Sequence, residues 1–476
     1  LAAIPGMAND FSSRSLHAGE LAAAPPASAA ARGARWRWAA LATYALHLFT
    51  LFGLALSNIF LGITLALAPR ALAARRVRWG VLRPILLPMG FYLAFLAASI
   101  ALSYEPRPSL LAAGELFAMA TLFLGPGLVR GERELRWVID GLVIMAALIA
   151  LRGLSSYVWQ SFGELDQRIR GPFSHYMTLS GVLLICDVLL VTQMVCGRAA
   201  HSAWRWVALA LINVALIGTM TRGAWVALGG TLISLLAVHV KRRRPGDERR
   251  PRHRGRKYAA VIALALLAAV LLVPPSVMRR AKTIFDLHDP SNYDRLCMLD
   301  AGLRMIGERP MVGLGPDMVD HRYEIYRQPT APRYWVPHLH NSFLEMAAER
   351  GLPSLAAYFW MLAASVRLAL RRYRRERGLA GPRADLYLGG VLALLAFNLA
   401  GLFENNWGDA EVKRLALFAM MMPFCLEMAD CLEGGGAADL SPEPAAAAGP
   451  AAGSGLSWAR LGGFLERLGL RQRSAE

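Results

Sequence analysis

PPSVMRRAKTIF (274–285), YDRLCMLDAGLRMIGERP (293–310), VGLGPDM (312–318) and WVPHLHNSFLEMAAERGLP (335–353) belong to the one long segment of this sequence that lacks membrane-length hydrophobicity. Before and after it, apolar runs close to bilayer-spanning length follow one another. A helix satisfies its own backbone polar groups inside lipid, so such a sequence reads as an all-α, polytopic membrane protein. The long segment then reads as a folded cap on one side of the membrane, carrying the histidine pair His338 and His340.

Composition agrees with this reading. The chain has 476 residues, of which 55% are hydrophobic, and its net charge is +18 from 52 Lys and Arg against 34 Asp and Glu. The mean hydropathy is +0.36. The arginines cluster in short loops between apolar runs, where they set topology, and no recognition motif makes nucleic acid a partner. Of the cysteines, Cys186, Cys196, Cys425 and Cys431 lie in apolar runs and only Cys297 in the long loop. That distribution offers no internal bridge in the loop, and no CxxC pattern suggests a metal. Residues 1–34 are rich in Ala, Pro and Ser and lack a signal-peptide core, which reads as a disordered cytoplasmic tail. Met7 reads as the natural start, and the residues before it as an expression scar.

Working outward, 35–275 hold nine expected spans and 351–432 three more. Trp36–Leu72 is read as two spans turning near Ser57-Asn58. Pro84–Leu102, Leu110–Leu128, Val138–Leu154, Tyr176–Cys196, Val207–Met220, Ala224–Val240 and Tyr258–Val273 complete the first set. Leu352–Leu370, Leu386–Phe403 and Leu415–Met428 form the second. From a cytoplasmic N-terminus, every basic short loop falls inside, including KRRRPGDERRPRHRGRK (241–257), and the 276–350 loop falls outside. In the 433–476 tail, Trp458, Leu461, Leu465 and Leu468 share one helical face, as in an interfacial helix.

This topology isolates charges that run against the bias. Arg168 and Arg170 sit in a short outer loop, and Arg222 sits in the outer turn TMTRG. Ionisable groups at the membrane boundary are costly and have partners, and a planar guanidinium suits phosphate oxygens. Phosphate contact is set against snorkelling or a bridge to Glu164 or Asp166. In the long loop, Arg279, Arg280 and Lys282 lie among apolar residues, as in a helix on the outer leaflet. Arg295 opens a helix with Leu296, Leu299, Leu303 and Ile306 on one face, stopped by Pro310. VGLGPD reads as a glycine turn and carries no nucleotide-loop signature. Ser342 and Glu345 fit a capping box, placing a helix start near Asn341-Ser342. His338 and His340, two apart in an extended stretch, point the same way toward that start. Proton transfer, a structural role and a metal site stay open for the pair, although no third metal ligand appears at a set spacing.

His340-Asn341 followed by nine residues and Gly351, with TMTRGAWVALG (219–229) and GERPMVGLGPD (307–317), resembles the bacterial O-antigen ligase and polymerase superfamily. The likeness covers roughly residues 170–360 and the many-span layout. Val226 departs from it, standing where the family tends to have Leu. The resemblance implies a multi-pass protein of the bacterial inner membrane with its active site facing the periplasm. For ligase members it implies transfer of a glycan from undecaprenyl pyrophosphate to lipid A–core, without metal, ATP or cofactor. Membrane lipids would be its other partners. Arg222 matches the family's arginine after Thr or Ser, and His340 the histidine of the His-Asn pattern, with His338 preceding it.

The residue chemistry fits this. A pyrophosphate leaving group needs cations where negative charge grows, and a hydroxyl acceptor needs a base. Expected catalytic residues are His338 and His340. Expected substrate-binding residues are Arg222, Arg168, Arg170, Arg295 and Asn341. Alternatives are an O-antigen polymerase, a protein O-oligosaccharide ligase and, from another class, a transporter of an anionic lipid or solute. The transporter would show midplane charges and related halves with broken helices, and the sequence has no internal repeat.

Overall fold

The structure is a computed structural model that describes residues 27–73, 78–160, 168–196, 202–241, 286, 289–376 and 381–433. The expected span Tyr258–Val273, the PPSVMRRAKTIF segment, Glu164, Asp166 and the 458–468 face lie outside them. The described residues are helical, and the fold is all-α. The helices are α1 (Ala27–Phe49), α2 (Leu54–Ala73), α3 (Trp79–Ala101), α4 (Pro106–Leu111), α5 (Glu115–Ala118), α6 (Thr121–Leu128), α7 (Glu132–Gln160), α8 (Tyr176–Cys196), α9 (Ala203–Gly218) and α10 (Arg222–Lys241). After them come α11 (Pro290–Glu308), α12 (Met318–Tyr326), α13 (Ser342–Arg375), α14 (Ala384–Gly401) and α15 (Ala410–Glu433).

Seven of these are long and apolar enough to cross a membrane: α2, α3, α7, α8, α13, α14 and α15. The apolar helices α9 and α10 are shorter. The protein is therefore a polytopic membrane protein. α8, α14 and α15 are buried among the others, whereas α2 and α3 turn most of their surface outward. Membrane helices hold together through packing and cross-helix polar ties rather than through a hydrophobic gain over lipid. Such ties join Asn213 to Asp187 at 2.8 Å and Tyr358 to Asn398 at 2.6 Å.

Three details differ from the sequence reading. The first two helices turn at Thr50–Gly53, not at Ser57-Asn58. Ser57 is inside α2, fully buried, and its hydroxyl meets His47 and Arg414, which is why a polar residue there does not mark a turn. α1 starts at Ala27, within the stretch read as tail. Leu110–Leu128 is not one helix but α4, a 3-10 turn at Ala112–Gly114, α5 and α6. The breaks fall at the 3-10 turn, which Gly114 closes, and at Met119–Ala120, despite the apolar composition, while Pro108 and Gly125-Pro126-Gly127 lie within α4 and α6. Gly125 also packs so closely on α15 that a Cβ would lie 1.6 Å from Met421 Sδ.

Two ends of the bundle differ in character. At one end arginines meet carboxylates: Arg37 with Glu134 at 2.8 Å, Arg136 with Asp385, Arg372 with Glu427, and Arg383 with Asp430 at 2.7 Å. Exposed Trp79, Trp137 and Trp204 lie near this end, as in an interfacial aromatic belt. At the other end sits the cap, α11, α12 and the chain up to Gly351, with its own core of Met298, Met305, Met318, Tyr323, Val336 and Leu339.

Glycines bind the cap to the bundle. Gly313 and Gly351 have φ of 68° and 81°, which glycine adopts without a Cβ penalty. Leu314 N donates to Ala348 O and Gly315 N to Glu349 O, each at 2.9 Å, and Leu352 N donates to Pro310 O at 2.8 Å. The VGLGPD turn is thus a close backbone docking onto the kink between the cap helix and the span of α13. The α3–α4 turn grips the same place, Tyr104 N donating to Leu314 O at 3.2 Å and Ser109 Oγ to Pro316 O at 2.7 Å.

The leucine face of α11 points outward. Leu296, Leu299 and Leu303 do share a face, yet they are 44%, 41% and 56% exposed. The buried side consists of Cys297, Met298, Ala301 and Met305, whose smaller or straighter side chains fit close against α13.

Candidate active site beneath the cap

α10 opens at Arg222, directly after the Thr219–Thr221 turn. Gly223 lets this helix end lie against Phe403, where a Cβ would come within 2.7 Å of the phenylalanine Cβ. α11 begins with Pro290 at its first turn and Asp289 as N-cap, its carboxylate accepting from Ser291 N at 3.1 Å. This fixes Arg295 on the second turn.

The start of α13 differs by one residue from the expected capping box. Asn341 is the N-cap, its Oδ1 accepting from Phe343 N and Leu344 N at 3.0 Å each. Glu345 reaches back to Leu339 N at 2.6 Å. Ser342 is freed to donate to Glu404 O at 3.0 Å and accept from Trp407 N at 3.2 Å. Asn341 Nδ2 donates to Leu402 O at 3.2 Å. The amide of Asn341, a sequence candidate for substrate binding, therefore sets the local backbone and ties the histidine segment to the α14–α15 turn.

These elements enclose a cavity of about 330 Å³ bordered by Arg222, Arg295, His340, Asn341, Leu344 and Phe403, among others. Glu404 joins two of its polar groups. One carboxylate oxygen accepts from Arg295 Nη2 at 2.7 Å, the other lies 2.9 Å from His340 Nδ1, and the side chain is 6% exposed. An ionised carboxylate only accepts, so Nδ1 carries the hydrogen and Nε2 keeps the lone pair. His340 also holds φ at 51°, a left-handed conformation uncommon for a residue other than glycine. Arg222, on the wall of this cavity, meets Asp289 at 3.3 Å, both side chains largely buried.

His338 plays a different part. Its ring stands edge-on to that of His340, centroids 4.3 Å apart, and its Nδ1 accepts the His340 backbone N–H at 3.4 Å. Burial, then the nearby His340, His175, Arg295 and Arg333, push its pKa down to about 3. It stays neutral at ordinary pH and is a weak base.

The structure thus brings Arg222, Arg295, His340 and Asn341 to one cavity, with His338 against His340. Arg168 and Arg170 are not on its wall. Arg168 lies 4.1 Å over the Tyr176 ring, a cation–π contact, and Arg170 is exposed. Sequence reasoning missed Glu404 and Asp289. A carboxylate in the polar turn ENNWGD, on the same side as the arginines that run against the topological bias, was the available signal for Glu404. Among the described residues, Asp317, Asp320 and His321 place ligand atoms within 4.8 Å of one another, and none of the three borders the arginine cavity.

Residues 207–359 match the family model for O-antigen ligase, which supports membership of that superfamily and takes in Arg222, Arg295, His338 and His340. Glu404 lies beyond the matched residues. No curated protein matches the chain.

Proposed function

From membership of the O-antigen ligase superfamily, we propose that this protein is a glycosyltransferase moving O-antigen polysaccharide from undecaprenyl pyrophosphate to lipid A–core. It works at the outer leaflet of the bacterial inner membrane, with the cap in the periplasm. One observation carries the reading: a carboxylate-anchored imidazole, His340, faces the same cavity as Arg222 and Arg295.

In this reading Arg222 and Arg295 hold the donor's diphosphate, whose charge rises as the bond to the sugar breaks. Their forked donors suit its oxygens. His340 Nε2 takes the proton of the acceptor hydroxyl. The acceptor oxygen forms a bond to the anomeric carbon while the bond from that carbon to the diphosphate oxygen breaks. The electron pair leaves with the polyprenyl diphosphate, and a single attack inverts the anomeric centre. Glu404 keeps the imidazole in the required tautomer and stabilises the imidazolium that forms. His338 holds the backbone of His340, and Arg168 and Arg170 have no assigned contact with the diphosphate.

The test is reconstituted transfer with a polyprenyl-diphosphate-linked glycan and rough lipopolysaccharide lacking O polysaccharide. His340→Ala and Arg222→Ala, each confirmed as folded, should lose transfer by roughly 10²-fold or more. Full activity in both would remove the assignment. An acceptor preference for a second lipid-linked repeat over lipid A–core would make the protein a polymerase.

A further inference from the structure

A second cavity, of about 420 Å³, lies against the other side of the α14–α15 turn. Phe52, Phe173, His175, Thr178, Asp409 and Glu411 stand on its wall. Its size falls in the range of small-ligand pockets, ~300–1,000 Å³. Its chemistry is the reverse of the first cavity. No Lys or Arg lines it. Asp409 and Glu411 hydrogen-bond each other on its wall, each carboxyl group has more than one acceptor position, and the aromatic rings offer apolar faces.

One stretch of chain borders both cavities. Leu402 and Phe403 face the arginine cavity, Gly408 to Glu411 face the carboxylate cavity, and between them Glu404 holds His340. Asp409 is fixed by Thr178 Oγ1 at 2.5 Å. His175, on the second cavity, is also near enough to His338 to add to the lowering of its pKa that burial begins. In a displacement the nucleophile and the leaving group occupy opposite sides of the reacting carbon. A diphosphate fits the arginines, and a group rich in hydroxyls fits acceptor oxygens and ring faces.

We propose that the cavity of Phe52, Phe173, His175, Asp409 and Glu411 binds an unphosphorylated sugar ring of the acceptor, its hydroxyls hydrogen-bonding to the Asp409–Glu411 carboxyl pair. This rests on the transferase reading and adds a selectivity: neutral sugars enter and phosphorylated ones do not, because the cavity wall gives their oxygens no cation.

The experiment uses the full chain, with Glu411→Gln and, as a variant that keeps every charge, Phe52→Ala. Transfer is measured against varied donor and varied rough lipopolysaccharide, and binding of deacylated core oligosaccharide is followed separately by saturation-transfer NMR. In Glu411→Gln the acceptor KM should rise roughly tenfold, the size expected for losing one hydrogen bond to a charged group. Phe52→Ala should raise it a few-fold, and the donor KM should stay unchanged in both. Dephosphorylated core oligosaccharide should bind as well as the phosphorylated form or better. Unchanged acceptor KM in both variants, or core oligosaccharide that competes with donor, overturns the proposal. Core oligosaccharide that binds wild type and not Glu411→Gln, in a protein that transfers no glycan, would sink the transferase reading and leave the sugar site standing.

Discussion

Glu404 lies 2.9 Å from Nδ1 of His340, 64 residues earlier in the chain, and shares its other oxygen with Arg295. One buried carboxylate thus couples the expected base to one of the expected diphosphate ligands. Glu404→Gln keeps the shape but puts an amide N–H in competition for Nδ1, which favours the wrong tautomer. The expected loss in kcat is about 10²–10⁴-fold, by analogy with an orienting carboxylate in a catalytic triad. His340→Ala combined with Glu404→Gln should cost little more than His340→Ala alone, since groups acting as a unit are not additive. Initial rates for the three variants decide it, and a twofold loss in Glu404→Gln would rule out the orienting role.

Asp289 meets the guanidinium of Arg222 at 3.3 Å. A diphosphate must compete with it. Asp289→Asn retains an N-cap oxygen for α11 and removes the competing charge. The donor KM should fall by roughly two- to fivefold, the scale of one partly solvated ion pair. A donor titration checks this, and a rise in KM would mean that Asp289 orients Arg222 instead.

His338 gives the fold a direction of acid sensitivity. Its folded pKa of about 3 lies below the ordinary 6.5. Between those values the unfolded chain binds a proton that the folded one does not. Stability from this group is fully present above pH ~6.5 and is lost as pH falls toward ~3. The thermal midpoint of His338→Gln should therefore drop less than that of wild type between pH 7 and pH 5, as read by scanning fluorimetry in one detergent. Equal drops would show that the histidine is not held neutral.

Gly313 sits at positive φ with the Glu349 backbone where a Cβ would stand, 2.3 Å away. Gly313→Ala combines a left-handed penalty of roughly 1–2 kcal/mol with a clash against immovable backbone. Limited proteolysis should cut the cap of this variant faster, while Gly307→Ala, where a Cβ meets open space, should behave as wild type. Equal cutting rates for all three would show that the glycine docking does not hold the cap.

The membrane fold was legible because length and apolarity alone define a span. Composition hid the break at Ala112–Gly114, since an interrupted crossing is as apolar as a continuous one. Arg222 and His340 were legible as a charge against the topological bias and a histidine beside a helix start. Arg168 carried the same signal and went elsewhere, because an aromatic neighbour, Tyr176, satisfies a guanidinium without an anion. The partners of Arg222 and His340 were not legible. Asp289 is 67 residues from Arg222, and nothing local to either names the other. The leucine stripe of α11 shows a related limit: spacing gives a shared face, but not which neighbour that face receives.

The grip of the Tyr104 and Ser109 turn on the cap, and of Glu404 on His340, has a consequence for biogenesis. The cap is seated on a loop translated some two hundred positions before it, and its imidazole is anchored by a turn translated after it. A ribosome must therefore deliver the chain past Glu404 before a nascent copy has an anchored imidazole, so a partly inserted protein lacks the carboxylate that holds that ring.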